Sequence, residues 1–312
     1  MGWCGEHPPA GGSACRAACP CAGGGECAPQ MPAPAVLFPG QGSQAPGMRD
    51  LVARYTPELL DRCLELVGED PFARVEESTR FAQPAIFCAS WAGWTALGVD
   101  TPATASAGHS LGEVGALAAA GVFDGATALE LVVLRGRLMA EADDSGSMLA
   151  LLGGEPEDAH AIADAAGVTV ANDNAVGQVV LSGDRDKLAR AEEVALERGV
   201  RARPLDVAAA FHSPAMAPAV APFRAALDAV ELREPRFPVY SCASAQPFTD
   251  IREELAQALT RPVRWRETFT ALHAAGNERF IEVGPGRVLA KLARRIVRGV
   301  TVESLPEEVA HA

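Results

Sequence analysis

Ser110 stands at the centre of Gly108-His109-Ser110-Leu111-Gly112, a Gly-x-Ser-x-Gly pentapeptide that, set between a strand and a helix, presents a serine hydroxyl on a sharp turn as a nucleophile. The flanking glycines keep side chains out of the turn and away from whatever carbonyl approaches the hydroxyl. Alone, the pentapeptide fits an ordinary glycine-flanked turn equally well, so its partners decide. A serine hydroxyl needs a base. Of the six histidines, only His212, in Ala209-Ala210-Phe211-His212-Ser213-Pro214, combines a loop position with an adjoining aromatic. His7 and His311 are terminal, His160 and His273 fall in helical stretches beside alanines, and His109 points along the elbow away from Ser110. His212 taken by itself is equally consistent with a structural histidine. No Asp or Glu follows it in an orienting position. A backbone carbonyl holding Nδ1–H would make a dyad in which Nε2 takes the serine proton and later returns it to a leaving thiol.

A charge supplies the third clue. On the helix expected over Ala126 to Ala142, the helical period places Arg135 in the stripe of Leu131, Leu134, Leu138 and Met139. Arg137 falls on the opposite side between Glu130 and Glu141, where a solvated ion-pair face explains it. An arginine on an apolar face is costly unless paired, and its planar fork pairs best with a carboxylate. Two partners fit: one of the 40 acidic residues of the chain, or the carboxylate of a substrate.

The elements that must hold these residues alternate. Ala35 to Phe38 reads as a buried strand running into Pro39-Gly40-Gln41-Gly42-Ser43-Gln44, a glycine-rich loop able to present backbone N–H groups. Helices are expected at about Pro57 to Val67 and Gln83 to Leu97, followed by an Ala-rich strand ending at Ser106, the Ser110 elbow and the Arg135 helix. Strands feeding helices imply an α/β core with a mainly parallel sheet. From Ser147 the rhythm changes to strand Ser147 to Leu152, helix Pro156 to Ala166, strands Val168 to Asn172 and Gln178 to Ser182, helix Arg185 to Arg198 and strand Arg201 to Val207. That β-α-β-β-α-β order is the ferredoxin-like split motif. Strand Arg236 to Ser241 and helix Arg287 to Arg298 then return to the first core. The expected architecture is an α/β-hydrolase-like catalytic domain, residues 31–145 and 207–301, with a ferredoxin-like small domain, 146–206, inserted and a tail at 302–312. A cleft between the two is the default binding site.

With 312 residues, 48% of them hydrophobic, the chain can bury one large core plus a smaller insert. No apolar run is long enough to span a membrane; the longest, near Ala116 to Leu134, is broken by Asp124, Gly125 and Glu130. A net charge of −13 argues against nucleic acid as a partner. Five of eight cysteines precede Met31 in a Gly/Pro/Ala-rich leader, residues 1–30. Its spacing lacks the paired Cys-x2-Cys of common zinc sites, so no metal is expected, and a disordered or untranslated leader accounts for it better. The sparse cysteines of the body fit a reducing cytoplasm.

Five blocks taken together carry a resemblance. Phe38-Pro-Gly-Gln-Gly-Ser-Gln44, Gly108-His-Ser-Leu-Gly112, Leu134-Arg-Gly136, Ala210-Phe-His212 and Glu282-Val-Gly-Pro-Gly286 resemble, in order and spacing, the malonyl-CoA:acyl carrier protein transacylases and the acyltransferase domains of polyketide synthases. The resemblance covers roughly Pro34 to Arg298. It implies a ping-pong transfer in fatty-acid or polyketide biosynthesis. Ser110 attacks the malonyl thioester of coenzyme A, His212 serves as base and then acid, and the backbone N–H groups of Gln41 and Leu111 form the oxyanion hole. Arg135 grips the free carboxylate. Phe211 matches the aromatic of malonyl-selective relatives, although simple core packing also explains it. No tightly bound cofactor is implied; malonyl-CoA is a substrate, and the phosphopantetheine belongs to the carrier protein. Two positions depart from the pattern: Val114 stands where many relatives have an aromatic, and Ala258 replaces a glutamine whose main-chain carbonyl orients the histidine. For the carrier protein, the final helix gathers Arg287, Lys291, Arg294, Arg295 and Arg298 within about 100° of arc, either a docking face or a solvated surface. The enzyme is expected to be monomeric. The alternative activity is an editing hydrolase that clears acyl groups from carrier proteins with the same dyad; the carboxylate-seeking Arg135 argues against it.

Overall fold

The computed structural model describes residues 32–143, 145–207 and 209–305; the leader of residues 1–30 and the chain beyond 305 lie outside them. The described residues form an α/β fold with two sheets. Strands β1 (Ala35–Phe38), β2 (Ala105–Gly108), β7 (Val239–Ser241), β8 (Gln246–Pro247), β9 (Arg279–Val283) and β10 (Thr301–Leu305) build a six-stranded sheet in the order β10-β9-β1-β2-β7-β8. All its neighbours pair in parallel except the antiparallel edge strand β8. The central strand β1 is fully buried, as befits a parallel strand covered on both faces. Alternation sends Val36 and Phe38 into one apolar core and Ala35 and Leu37 into another. The first core is closed by helices Thr79–Leu97, Gly112–Ala119, Gly125–Ala142 and Ala217–Asp228, the second by Trp265–Ala274 and Val288–Ile296.

Strands β3 (Gly146–Leu152), β4 (Thr169–Ala175), β5 (Gln178–Asp184) and β6 (Arg201–Leu205) form a separate antiparallel sheet in the order β4-β5-β3-β6. Helices Pro156–Ala166 and Arg185–Glu197 join its strands and share its apolar core. The β-α-β-β-α-β order expected from the sequence is the order observed.

Several boundaries differ from expectation, each for a local reason. The helix expected from Gln83 begins at Thr79, because Ser78 caps it by accepting the Arg80 N–H, and Pro84 is carried inside the helix rather than opening it. Strand β4 runs on to Ala175, and β6 stops at Leu205, where its pairing with Met148 ends. The final helix is shorter than Arg287 to Arg298: it spans Val288–Ile296 and stops as Val297 turns extended. Residues 302–305, expected as tail, belong to β10, which pairs along the whole of β9. The short helices Met48–Tyr55 and Ile251–Gln257 carry no expectation at all. No helix among the described residues is long and apolar enough to cross a membrane.

Candidate active site

The segment from β2 into helix Gly112–Ala119 turns so sharply that its glycines are required by packing. A Cβ on Gly108 would lie 1.8 Å from the Gly112 carbonyl carbon, and one on Gly112 would lie 2.1 Å from the Phe38 carbonyl oxygen. Ser110 at the apex has φ 52, a left-handed conformation rare for a residue with a side chain. His212 has φ 55. Strain of this kind costs on the order of 1–3 kcal/mol per residue and persists only where the surroundings enforce it.

The two strained residues meet. Ser110 Oγ lies 2.7 Å from His212 Nε2, while His212 Nδ1 lies 2.9 Å from the carbonyl oxygen of Ala258 and 3.1 Å from that of Arg261. Two carbonyls at Nδ1 require the proton there, leaving Nε2 to accept from the serine hydroxyl. The orienting group is thus a backbone carbonyl, so the alanine at 258 leaves the arrangement intact. The imidazole is buried, and burial first, with the Arg135 charge second, depresses its pKa to about 3. It is therefore neutral and able to accept a proton at neutral pH.

Arg135 is 3% exposed. Its Nη1 donates to Gln83 Oε1 at 2.7 Å and its Nη2 to Ser110 Oγ at 3.1 Å. Among the described residues no carboxylate lies within ion-pair distance of it, so the internal salt bridge that the sequence left open is not formed. Burial lowers its pKa to about 10, opposed by the more distant charge of Glu113, and the guanidinium stays cationic at neutral pH. Glu113, buried on the elbow helix, accepts the Cys242 N–H at 2.7 Å; burial lifts its pKa to about 7.

A chain of amides and hydroxyls sets the guanidinium. Gln83 Nε2 donates to Thr79 Oγ1 at 2.8 Å, and Thr79 Oγ1 donates to Gln41 Oε1 at 2.7 Å. Sequence reasoning missed Gln83 and Thr79. The signal was a lone amide within the apolar run Phe81-Ala82-Gln83-Pro84-Ala85-Ile86, the same kind of clue that marked Arg135. Asn174 was also missed: it accepts from His109 Nε2 at 2.8 Å, so His109 faces β4 and the Trp265 ring rather than Ser110.

These groups line a cleft of about 740 Å³ between the loops that follow β1 and β2 and the four-stranded sheet. Gln41, Ser110, Leu111, Arg135, Phe211 and His212 all border it. Of the five basic residues expected as a face, Lys291, Arg294, Arg295 and Arg298 are exposed and Arg287 is half-buried. Arg295 is not free for a partner: it donates to Gln178 Oε1 at 2.6 Å and to the carbonyl oxygens of Val176 and Gly177, tying the helix to the β4–β5 turn.

The acyl transferase domain family matches residues 36–309. The malonyl CoA-acyl carrier protein transacylase of Salmonella typhimurium is 36% identical over 299 residues, 88% of this chain and 96% of its own length. The solved acyl-carrier-protein-S-malonyltransferase of Bartonella henselae superposes with a TM-score of 0.83 at 35% identity, covering 88% of this chain and 96% of that one. A solved complex of a type II PKS acyl-carrier protein with its malonyl-transacylase, PlMCAT:AntF, gives a TM-score of 0.78 at 35% identity over 86% of this chain and 94% of that chain. Likeness of sequence that runs through both sheets marks common descent rather than a shared fold alone, and this chain belongs to the acyl transferase domain family, among the malonyl CoA-acyl carrier protein transacylases.

Proposed function

We propose that this enzyme moves a malonyl group from coenzyme A to the phosphopantetheine thiol of an acyl carrier protein through a malonyl ester on Ser110. The observation that carries the reading is Arg135: a buried cation whose partners are an amide and the nucleophile itself. A carboxylate-bearing acyl group would pair with that cation, whereas an acetyl group would leave it unpaired. In the first half-reaction His212 Nε2 takes the Ser110 proton as Oγ adds to the thioester carbonyl. Collapse of the tetrahedral adduct breaks the C–S bond, and the imidazolium protonates the departing thiolate. In the second half, the carrier's thiol gives its proton to His212 and attacks the ester, and the proton returns to Ser110 Oγ.

The positions of Gln41 and Leu111 on the cleft support their backbone N–H groups as the oxyanion hole, each such donor being worth about 3–4 kcal/mol. Neutralisation of Arg135 by the malonyl carboxylate would remove one of the two main causes of the low His212 pKa, so the right substrate strengthens the base. Phe211, 8% exposed beside His212, is read as the steric limit on a branch methyl. Lys291, Arg294 and Arg298, with Arg287, are read as the carrier-protein face, Arg295 serving as its anchor to the small sheet. The parallel sheet with its strained elbow supports an α/β-hydrolase-like core, and the β4-β5-β3-β6 order supports a ferredoxin-like insert, residues 146–206, within it. A cytoplasmic monomer without bound cofactor completes the reading.

The test is acyl-enzyme formation from malonyl-CoA, methylmalonyl-CoA and acetyl-CoA, read by intact mass. A malonyl adduct on Ser110 formed far faster than the acetyl adduct is expected. Equal loading of acetyl and malonyl groups would overturn the role given to Arg135.

A further inference from the structure

We infer that Asp143 is a positioning residue that fixes the His212 loop against the helix bearing Arg135. Helix Gly125–Ala142 carries Arg135 and is closed by Asp143. A carboxylate at this end opposes the helix dipole, so its position calls for another reason. Asp143 Oδ2 accepts the Ala210 N–H at 2.8 Å, and Oδ1 accepts the N–H groups of Ser145 and Gly146 at 3.0 and 3.1 Å and the Ser145 hydroxyl at 2.9 Å. Burial would raise its pKa, but these donors overcome that and hold it below the usual carboxylate range. One carboxylate thus joins the chain leaving for the small sheet to the chain returning from it. The crossing is tight: a Cβ on Gly146 would lie 2.2 Å from Asp143 Oδ2 and 2.6 Å from the Ala210 Cβ.

Ala210 is two residues before His212. Its N–H is held by Asp143 and its carbonyl oxygen by Ser213 Oγ at 2.6 Å. That loop must hold His212 at φ 55. Fixing Ala210 at both ends is what keeps the strained residue from relaxing, and because Asp143 ends the same helix that presents Arg135, the spacing between guanidinium and imidazole is set by one rigid element. Asp143 touches neither Ser110 nor His212, and it acts through the loop.

The inference rests on the roles proposed for Ser110 and His212, and its test is separable from them. Asp143→Asn and Asp143→Ala are compared with the parent and with Ser145→Ala, which loses a bond at Oδ1 but keeps the one to Ala210. Two rates are read by intact mass: malonyl transfer from malonyl-CoA, and labelling of Ser110 by a sulfonyl fluoride, which needs the serine and its base but no carboxylate. Both rates are expected to fall together, about ten- to a hundredfold, in the Asp143 variants, with the full final stoichiometry of adduct and with Ser145→Ala close to the parent. Should Asp143→Ala not fold, Ser213→Ala releases the other side of Ala210 and is expected to slow both rates in the same way. Unchanged sulfonylation in a folded Asp143 variant overturns the inference, as does a loss of adduct stoichiometry with an unchanged rate, which marks a purely structural role. A parent that is sulfonylated but never malonylated would count against the proposed function and leave the positioning role to be judged on sulfonylation alone.

Discussion

On the proposed function, replacing Arg135 by alanine should separate recognition of the carboxylate from the chemistry at Ser110. The guanidinium is buried, its Nη2 is 3.1 Å from Ser110 Oγ, and no described acidic residue pairs with it. Truncating one partner of a buried, hydrogen-bonded charge pair costs about 2–5 kcal/mol. At 1.36 kcal/mol per decade this is a loss of about 30- to 5,000-fold in kcat/KM for malonyl-CoA. Acetyl-CoA offers no carboxylate, so its kcat/KM should hold within about tenfold, and the removal of a charge that depresses the His212 pKa works in its favour. Selectivity for malonyl over acetyl should therefore collapse by nearly the whole malonyl loss. The assay is stopped-flow or quenched acylation of Ser110 from each thioester, with melting temperature as a control for folding. A malonyl kcat/KM reduced less than about tenfold, with selectivity unchanged, would refute the reasoning.

Phe211→Ser should admit the branch methyl and raise methylmalonyl loading relative to malonyl by about 10- to 200-fold, the worth of one methyl in a pocket, measured by competition between the two thioesters. Glu282 is buried, accepts the N–H groups of Leu289 and Ala290 at the start of the last helix, and has its pKa raised to about 7 by burial. Because the folded state holds this proton more tightly than the unfolded chain, its stabilisation is complete below the unfolded value near 4.5 and is lost as pH rises through about 7. Glu282→Gln should thus melt lower than the parent at pH 5 yet lose less between pH 6 and about 8, and an equal loss in both proteins would contradict the assignment. His212 has the opposite sign: its depressed pKa makes stability fall as pH drops from about 6.5 towards 3. Lys291→Glu with Arg294→Glu should slow delivery to an acidic carrier protein about tenfold at low salt and much less at high salt, while acylation by malonyl-CoA stays as it was; equal slowing at both salt concentrations would remove the docking role.

The candidate site was legible where a residue type conflicted with its surroundings. Arg135 on an apolar stripe, Ser110 between glycines and His212 in a loop all declared themselves, and the structure brings them together. The order of elements in the small sheet was legible because its strands and helices are short, regular and separated by turns. What stayed hidden depends on contacts distant in sequence. Gln83 gains its meaning only when helix Thr79–Leu97 packs on Gly125–Ala142, and Arg295 leaves the basic face only because β4 and β5 turn beneath it. Strand β10 lacks the clear alternation of an isolated strand and is fixed by the register of β9. The helix begins four residues before Gln83 because Ser78 caps it by accepting the Arg80 N–H, and Pro84 lies inside it.

The most direct measurement is the fate of the malonyl group on Ser110. The enzyme is loaded with malonyl-CoA, freed of excess thioester and mixed with a phosphopantetheine-bearing carrier protein or with buffer alone, and both proteins are weighed by intact mass over time, with Ser110→Ala as control. The expected result is a malonyl adduct absent from Ser110→Ala, stable in buffer, and moving from the enzyme to the carrier thiol. An adduct that disappears as free acid at the same rate with or without carrier would contradict the transferase and make the enzyme a hydrolase.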